Sequence, residues 1–382
     1  MAGKRSIFEE VPEGTSSRSG PVLSAVGAID RPKGARRGVR LWLIVLALLV
    51  GVMVLVGGLT RLTDSGLSIT EWKPVAGALP PMSAEDWQEE FALYQETPEF
   101  KLQNNAMTLS EFKSIYWWEW GHRQLGRFIA LVWALGFLGF LLARKVPPGW
   151  TGRLLTIGVL IGVQGAVGWW MVSSGLKGTM LDVASYRLAT HLGLAFAILG
   201  LITWDALLLS RSEHELMKAR RAGEARLAAL TSTAIVLIFL QIIIGALVAG
   251  IDAGRGYTDW PLMAGSFVPD GMFDLEPLWR NFFENDATVQ FIHRMTGYLA
   301  GLAVLFVWLS ARRSPHAPTR RAYGLALIMV LVQITLGVVT VMHSSPLEIA
   351  IFHQGGAILL LVLILRARHR ARYPIERSLR QS

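Results

Sequence analysis

Gly57-Gly-Leu-Thr-Arg-Leu-Thr-Asp-Ser-Gly-Leu-Ser-Ile-Thr-Glu-Trp72 and Gly245-Ala-Leu-Val-Ala-Gly-Ile-Asp-Ala-Gly-Arg-Gly-Tyr-Thr-Asp-Trp260 are two versions of one phrase. Extended to Pro81 and Pro269 they share nine identities in 25 positions, among them Asp64/Asp252, Gly66/Gly254, Trp72/Trp260 and Gly77/Gly265. The echo continues downstream. His122-Arg-Gln-Leu-Gly126 answers to His293-Arg-Met-Thr-Gly297, and Val163-Gln164 with Gly168 answers to Val332-Gln333 with Gly337. His191-Leu-Gly193 answers to His353-Gln-Gly355. The chain therefore reads as a tandem duplication in which each copy carries two histidines at matching places. Such pairs suggest two metal or haem sites.

Hydropathy sets the class. Mean hydropathy is +0.41, charged residues make up 17%, and apolar runs of about 20 residues recur, the length a helix needs to cross a bilayer. Eight runs are predicted, at 41–61, 124–143, 154–173, 189–209, 228–249, 289–310, 322–342 and 349–366. The expected fold is an all-α integral membrane protein whose eight transmembrane helices form two tandem four-helix-bundle repeats. Four spans per copy make the repeats parallel, related by an axis along the membrane normal. The predicted divisions are a disordered basic arm (1–40), a first half (41–210), a linker (211–227), a second half (228–367) and a basic tail (368–382).

Charge gives the orientation. Segment 1–40 holds eight Lys/Arg, 211–226 five, 311–321 four and the tail from Arg366 six. The alternate loops are acidic: 62–115 has nine acidic residues against three basic, and 251–287 has seven against two. The positive-inside rule then places both termini in the cytoplasm. The net charge of +9 follows from that topology and gives no reason to expect a nucleic-acid partner, although the basic arms could meet anionic lipid. With no cysteine, the chain has no disulfide, thiolate ligand or iron–sulfur cluster. In the long first outer loop, Ser83-Ala-Glu-Asp-Trp-Gln-Glu-Glu-Phe-Ala-Leu-Tyr94 predicts an N-capped amphipathic helix at the interface. The tryptophans of 110–120 suit an aromatic belt.

Eight histidines divide into two groups. His214, His316 and His369 lie in basic segments and read as solvated. His343 closes span seven at the outer face and has no counterpart in the first copy. His122, His191, His293 and His353 fall near the outer ends of spans two, four, six and eight. An imidazole inside a membrane helix is costly and usually functional. Spans two and four then face each other across one half, and six and eight across the other. Paired imidazoles without a carboxylate cluster suit haem iron better than zinc or di-iron. Arg123 and Arg294 follow two of these histidines and are open to two readings, partners of haem propionates or arginines reaching the interface.

The copies differ at one telling place. Glu119-Trp-Gly-His122 faces Gln290-Phe-Ile-His293, which puts a carboxylate one helical turn from a histidine only in the first copy. Glu119 reads as a base or charge stabiliser beside a reacting group; a hydrated interfacial glutamate is the plain alternative.

These residues resemble the haem A synthase family, and specifically its cysteine-free type from proteobacteria and mitochondria. The resemblance covers about 40–370 and rests on Gly57–Ser68, Glu119–Arg127, Ala189–Gly193, His293-Arg294 and Ile351-Phe-His-Gln354. It implies oxidation of the C8 methyl of haem O to a formyl group, for cytochrome oxidase assembly. The route it implies is two hydroxylations with water as the oxygen source, then loss of water. It further implies that His293 and His353 ligate a resident haem b, that His122 and His191 flank the substrate haem, and that Glu119 is catalytic. Haem O synthase and an electron-transfer protein are the implied partners, in a cell inner membrane with the sites toward the periplasm; a homo-oligomer stays open. Some bacterial members carry a cysteine pair in the first outer loop, which this chain lacks. The alternatives are a dihaem b-type membrane cytochrome, which would give no role to the Glu119/Gln290 difference, and a transporter with repeated halves.

Overall fold

The structure is a computed structural model that describes residues 33–375 except Thr179. Most of the arm (1–32) and the last seven residues of the basic tail (376–382) fall outside the described residues. Eight long helices are apolar enough to span a membrane: α1 (Lys33–Leu62), α4 (Leu109–Leu142), α5 (Thr151–Val172), α6 (Ser185–Leu208), α8 (Ala225–Gly250), α10 (Asp286–Ala311), α11 (Ala317–Met342) and α12 (Leu347–Arg372). Shorter helices are α2 (Ala84–Gln95), α3 (Pro98–Leu102), α7 (Glu213–Arg221) and α9 (Asn281–Glu284). Among the described residues the β-structure is one isolated bridge, Met263 to Ser266.

The helices outrun the apolar stretches that announce them. Backbone groups are satisfied within a helix wherever it continues, so polar turns extend the spans into the interfaces. α4 starts about four turns before its apolar run, at a Thr108 cap whose hydroxyl accepts from Glu111 N–H while Glu111 accepts from Thr108 N–H. α2 starts as its sequence demands, with Ser83 and Asp86 forming the same reciprocal box. Residues 33–40 of the expected arm are helical, and the expected linker contains α7.

Packing follows a simple order. α1 packs on α4, α4 on α5, α5 on α6, and α6 back on α1; likewise α8 packs on α10, α10 on α11, α11 on α12, and α12 back on α8. The two rings meet through α1, α6, α8 and α12. Leu43, Leu46, Leu154, Ile157, Leu199, Ile202 and Ile364 are fully buried at these contacts. Large apolar side chains such as Leu48, Val236, Phe306 and Ile328 point outward, the inverse of a water-soluble bundle. Between helices in lipid, close packing and hydrogen bonds do the joining. Trp42 of α1 donates to the Val132 carbonyl of α4 at 3.1 Å, and Trp133 of α4 donates to the Leu154 carbonyl of α5 at 3.0 Å. Gln354 of α12 donates to the Val54 carbonyl of α1 at 2.7 Å, tying the rings together.

One expected surface histidine is misplaced by the sequence reading. His369 is buried, because α12 continues past its apolar run and turns this ring against Trp204 and Tyr373 at 5.7 and 5.2 Å. The charged neighbours Arg368 and Arg372 stack on those same aromatics.

Candidate functional site

Within each ring the diagonal helices stay apart, α4 from α6 and α10 from α12, and the space between them is continuous with a cavity of about 810 Å³. Its walls are mostly apolar, and His122, His191, His293 and His353 all line it. His122 and His191 are close enough to interact by charge, as are His293 and His353. The structure thus brings together in pairs the four histidines singled out in the sequence. His343 is elsewhere: it ends α11, exposed, with Nδ1 2.9 Å from the Val339 carbonyl.

Every one of the four rings lies against a glycine of the preceding long helix. A Cβ built on Gly57 would sit 3.1 Å from His122 Nε2, and one on Gly168 would sit 2.8 Å from His191 Cε1. On Gly245 and Gly337 it would sit 3.0 Å from Cε1 of His293 and His353. Glycine is what lets imidazole and backbone approach so closely.

Three of the four rings have a further partner that the sequence reading did not assign. The amide nitrogens of Gln164, Gln241 and Gln333 lie 3.1–3.2 Å from Nδ1 of His191, His293 and His353 and donate to the backbone carbonyl of the same histidine. Each glutamine sits four residues before the glycine its histidine touches. That Gln-x-x-x-Gly spacing, a polar residue inside an apolar span, was the available signal. His122 is the exception. Met53 stands four residues before Gly57, and its methyl group packs against Gly126 much as the Gln241 amide packs against Gly297. The His122 ring has no hydrogen-bond partner among the described residues.

Glu119 is buried in α4 one turn before His122, and its carboxylate is held from two sides. Oε2 accepts from the Ser68 hydroxyl and the Ile69 N–H, both at 2.8 Å. Oε1 accepts from Arg123 Nε at 3.0 Å and Nη2 at 2.6 Å. Gln290 occupies the matching place with reversed polarity: its amide donates to the carbonyls of Ala253 and Tyr257 at 2.8 and 3.1 Å, and its oxygen accepts from Arg294. Arg123 also donates to the Ile69 and Glu71 carbonyls, and Arg294 to those of Tyr257, Asp259 and Leu262. These arginines therefore pin the quoted loops down on the helix ends. The loops also share a strained residue, with Asp64 and Asp252 at φ of 49° and 53°. Trp72 stacks on Trp169 at 6.0 Å over the cavity mouth, and Arg61 at the rim pairs with Asp64, Asp252 and Asp182 at 2.9, 2.8 and 3.5 Å.

Fold and site together define a class: a multi-pass helical membrane protein with two diagonal histidine pairs opening into one apolar cavity, one pair accompanied by a clamped carboxylate. The family model described as cytochrome oxidase assembly protein matches residues 40–365, and the chain belongs to that family. It is 62% identical to the heme A synthase of Dinoroseobacter shibae, over 100% of this chain and 99% of that protein. It is 60% identical to the heme A synthase of Ruegeria pomeroyi over the full length of both, and 59% identical to that of Paracoccus denitrificans over 99% of this chain and 98% of that one.

Proposed function

We propose that this chain is a haem A synthase that oxidises the C8 methyl of haem O to a formyl group, with haem O held between His122 and His191. His293 and His353 are the residues that would hold a resident haem b. The donor set fits such a group: two imidazoles face each other across apolar space, each positioned by a glutamine and backed by a glycine. When bound, haem b would supply a one-electron couple beside the substrate site. We further propose that the first and second rings act as separate halves, 41–210 and 228–367, with both termini cytoplasmic, the sites toward the periplasm, and the inner membrane as location.

The observation that carries this reading is the Glu119/Gln290 difference between two cradles built from matching loops, arginines and glycines. Removing electrons from a ring methyl builds positive charge on that carbon, and a preorganised carboxylate nearby lowers the barrier. Each water added there converts CH3 to CH2OH, or CH2OH to the diol, with release of two protons and two electrons; the diol then loses water. The four donors on Glu119 fill the roughly four lone-pair positions a carboxylate offers. Glu119 is thus aimed and held, with its acceptor positions already taken. The second ring, with an amide in that place, has the residues that would hold haem b, which when bound would supply electron transfer toward a membrane redox partner. A dihaem cytochrome that only passes electrons would need no such difference.

The test is Glu119→Gln in purified protein. The reading expects both haem sites to load and haem O to accumulate; an unchanged yield of haem A would overturn it.

A further inference from the structure

A second buried carboxyl borders the same cavity and has no part in the account above. Glu99 is the second residue of α3, whose first turn is set by the Thr97 cap and Pro98. It is only 3% exposed, it lines the cavity together with Glu119, and its Oε2 has no hydrogen-bond partner among the described residues. A buried carboxyl oxygen left unpartnered is expensive, and structures retain such groups where they do chemistry. The neighbours are defined on every side. Tyr94 of α2, which accepts from Asn104 at 2.9 Å, faces this carboxyl. Glu119, Asp64 and Asp182 act on it by charge from α4 and from two outer loops. Lys101, on α3 itself, is turned away to Glu96 at 2.6 Å.

We propose that Glu99 is the proton acceptor of the site, taking up the protons released when water adds at the methyl carbon and passing them to the outer rim at Asp64 and Asp182. The proposal rests on the haem A synthase reading. It answers a need that reading creates, because Glu119 has its acceptor positions filled. Each cycle is balanced: a methyl C–H bond breaks and a C–O bond to water forms, and the two protons released, one from the carbon and one from the water, go in turn to the Glu99 carboxylate. The neutral acid releases each proton to the rim and regenerates the carboxylate. The two electrons leave, one at a time, to a one-electron redox acceptor.

The electrostatics agree with this geometry. Burial, then the charges of Asp182, Asp64 and Glu119, push the Glu99 carboxyl up to about 8. An acid–base group works best when its pKa lies near the working pH. Burial likewise raises Asp182 above the usual carboxylate range, against the pull of Arg61, which makes it a fitting next station.

The experiment uses full-length protein in detergent loaded with haem O, comparing wild type, Glu99→Gln and Glu99→Asp, with haem content measured for each. Two readouts are taken, the pH profile of haem O oxidation and pH-difference infrared spectra of protonated carboxyls. The expected wild-type rate rises with pH through a midpoint near 8 and levels off above it, as the accepting carboxylate forms. Glu99→Gln should lose that limb and fall about tenfold or more in rate, with a full haem complement. Glu99→Asp should restore a limb at a shifted pH. The infrared band of a buried acid that titrates near pH 8 should be present in the wild type and in Glu119→Gln and absent in Glu99→Gln. Oxidation by Glu99→Gln with an unchanged limb, or a wild type without such a band, would overturn the proposal alone. Absence of any conversion by loaded wild-type protein would overturn the functional reading and this proposal with it.

Discussion

Glu119 and Gln290 hold the same position relative to their loops, and their hydrogen bonds to those loops run in opposite directions. The Ile69 N–H donates to Glu119, whereas the Gln290 amide donates to the Tyr257 carbonyl. Each loop has been folded to match its own helix residue.

Exchanging the two residues should therefore fail for reasons of polarity as well as chemistry. Gln290→Glu would aim a carboxylate at the Ala253 and Tyr257 carbonyls, leaving the Ala253 carbonyl without its donor while Tyr257 keeps Arg294. A cost of about 1–3 kcal/mol is expected for the group so stranded. Thermal unfolding followed at the haem absorption should show the loss, and an unchanged midpoint would contradict the geometry.

The glycine contacts give a site-selective test. In Gly168→Ala the new methyl must displace the His191 ring, since 2.8 Å is closer than real Cβ contacts come. Loss of substrate haem with retention of haem b is expected. Gly337→Ala should do the reverse through His353, read as haem content by type.

The missing glutamine at Met53 predicts an exchangeable site. Ring-orienting partners of metal-bound histidines change affinity by about 10- to 100-fold. Met53→Gln should hold the His122 ring as Gln241 holds His293, and slow haem transfer from the first site to a haem-scavenging protein by about tenfold. An unchanged transfer rate would mean that this ring's freedom has no role in exchange.

The raised carboxyl of Glu99 also has a stability signature. The unfolded chain loses that proton near 4.5 and the folded one near 8, so between these values the folded state binds more proton. Its contribution is present at low pH and declines as pH rises through that window. Glu99→Gln keeps the neutral form, so its thermal midpoint should fall less than that of the wild type between neutral and alkaline pH. Parallel curves would count against the shift.

Much of this was legible in the sequence because membrane spans announce themselves by length and apolarity, and because four histidines in apolar helices are conspicuous. Ser83 announced α2 through local capping chemistry. What stayed hidden depends on the neighbouring helix. Gln241 meets His293 and Gln333 meets His353 across 52 and 20 residues of chain, separations fixed by loops whose lengths follow no rule. The contrast of Met53 with Gln241 becomes visible only once those contacts are known. Glu99 looks like one acid among nine in an acidic loop until α3 folds it under the bundle. His369 was misread because a run of arginines around it reads as solvated, although alternate residues on that helix face protein.

The most direct test of the account is to extract the pigments from detergent-purified protein and identify them by chromatography and mass spectrometry. The account expects haem B together with haem O, its hydroxylated form or haem A, one resident group and one in conversion. Haem B alone, from a host that makes haem O, would contradict it and leave an electron-transfer cytochrome in which the carboxylate beside His122 has no substrate.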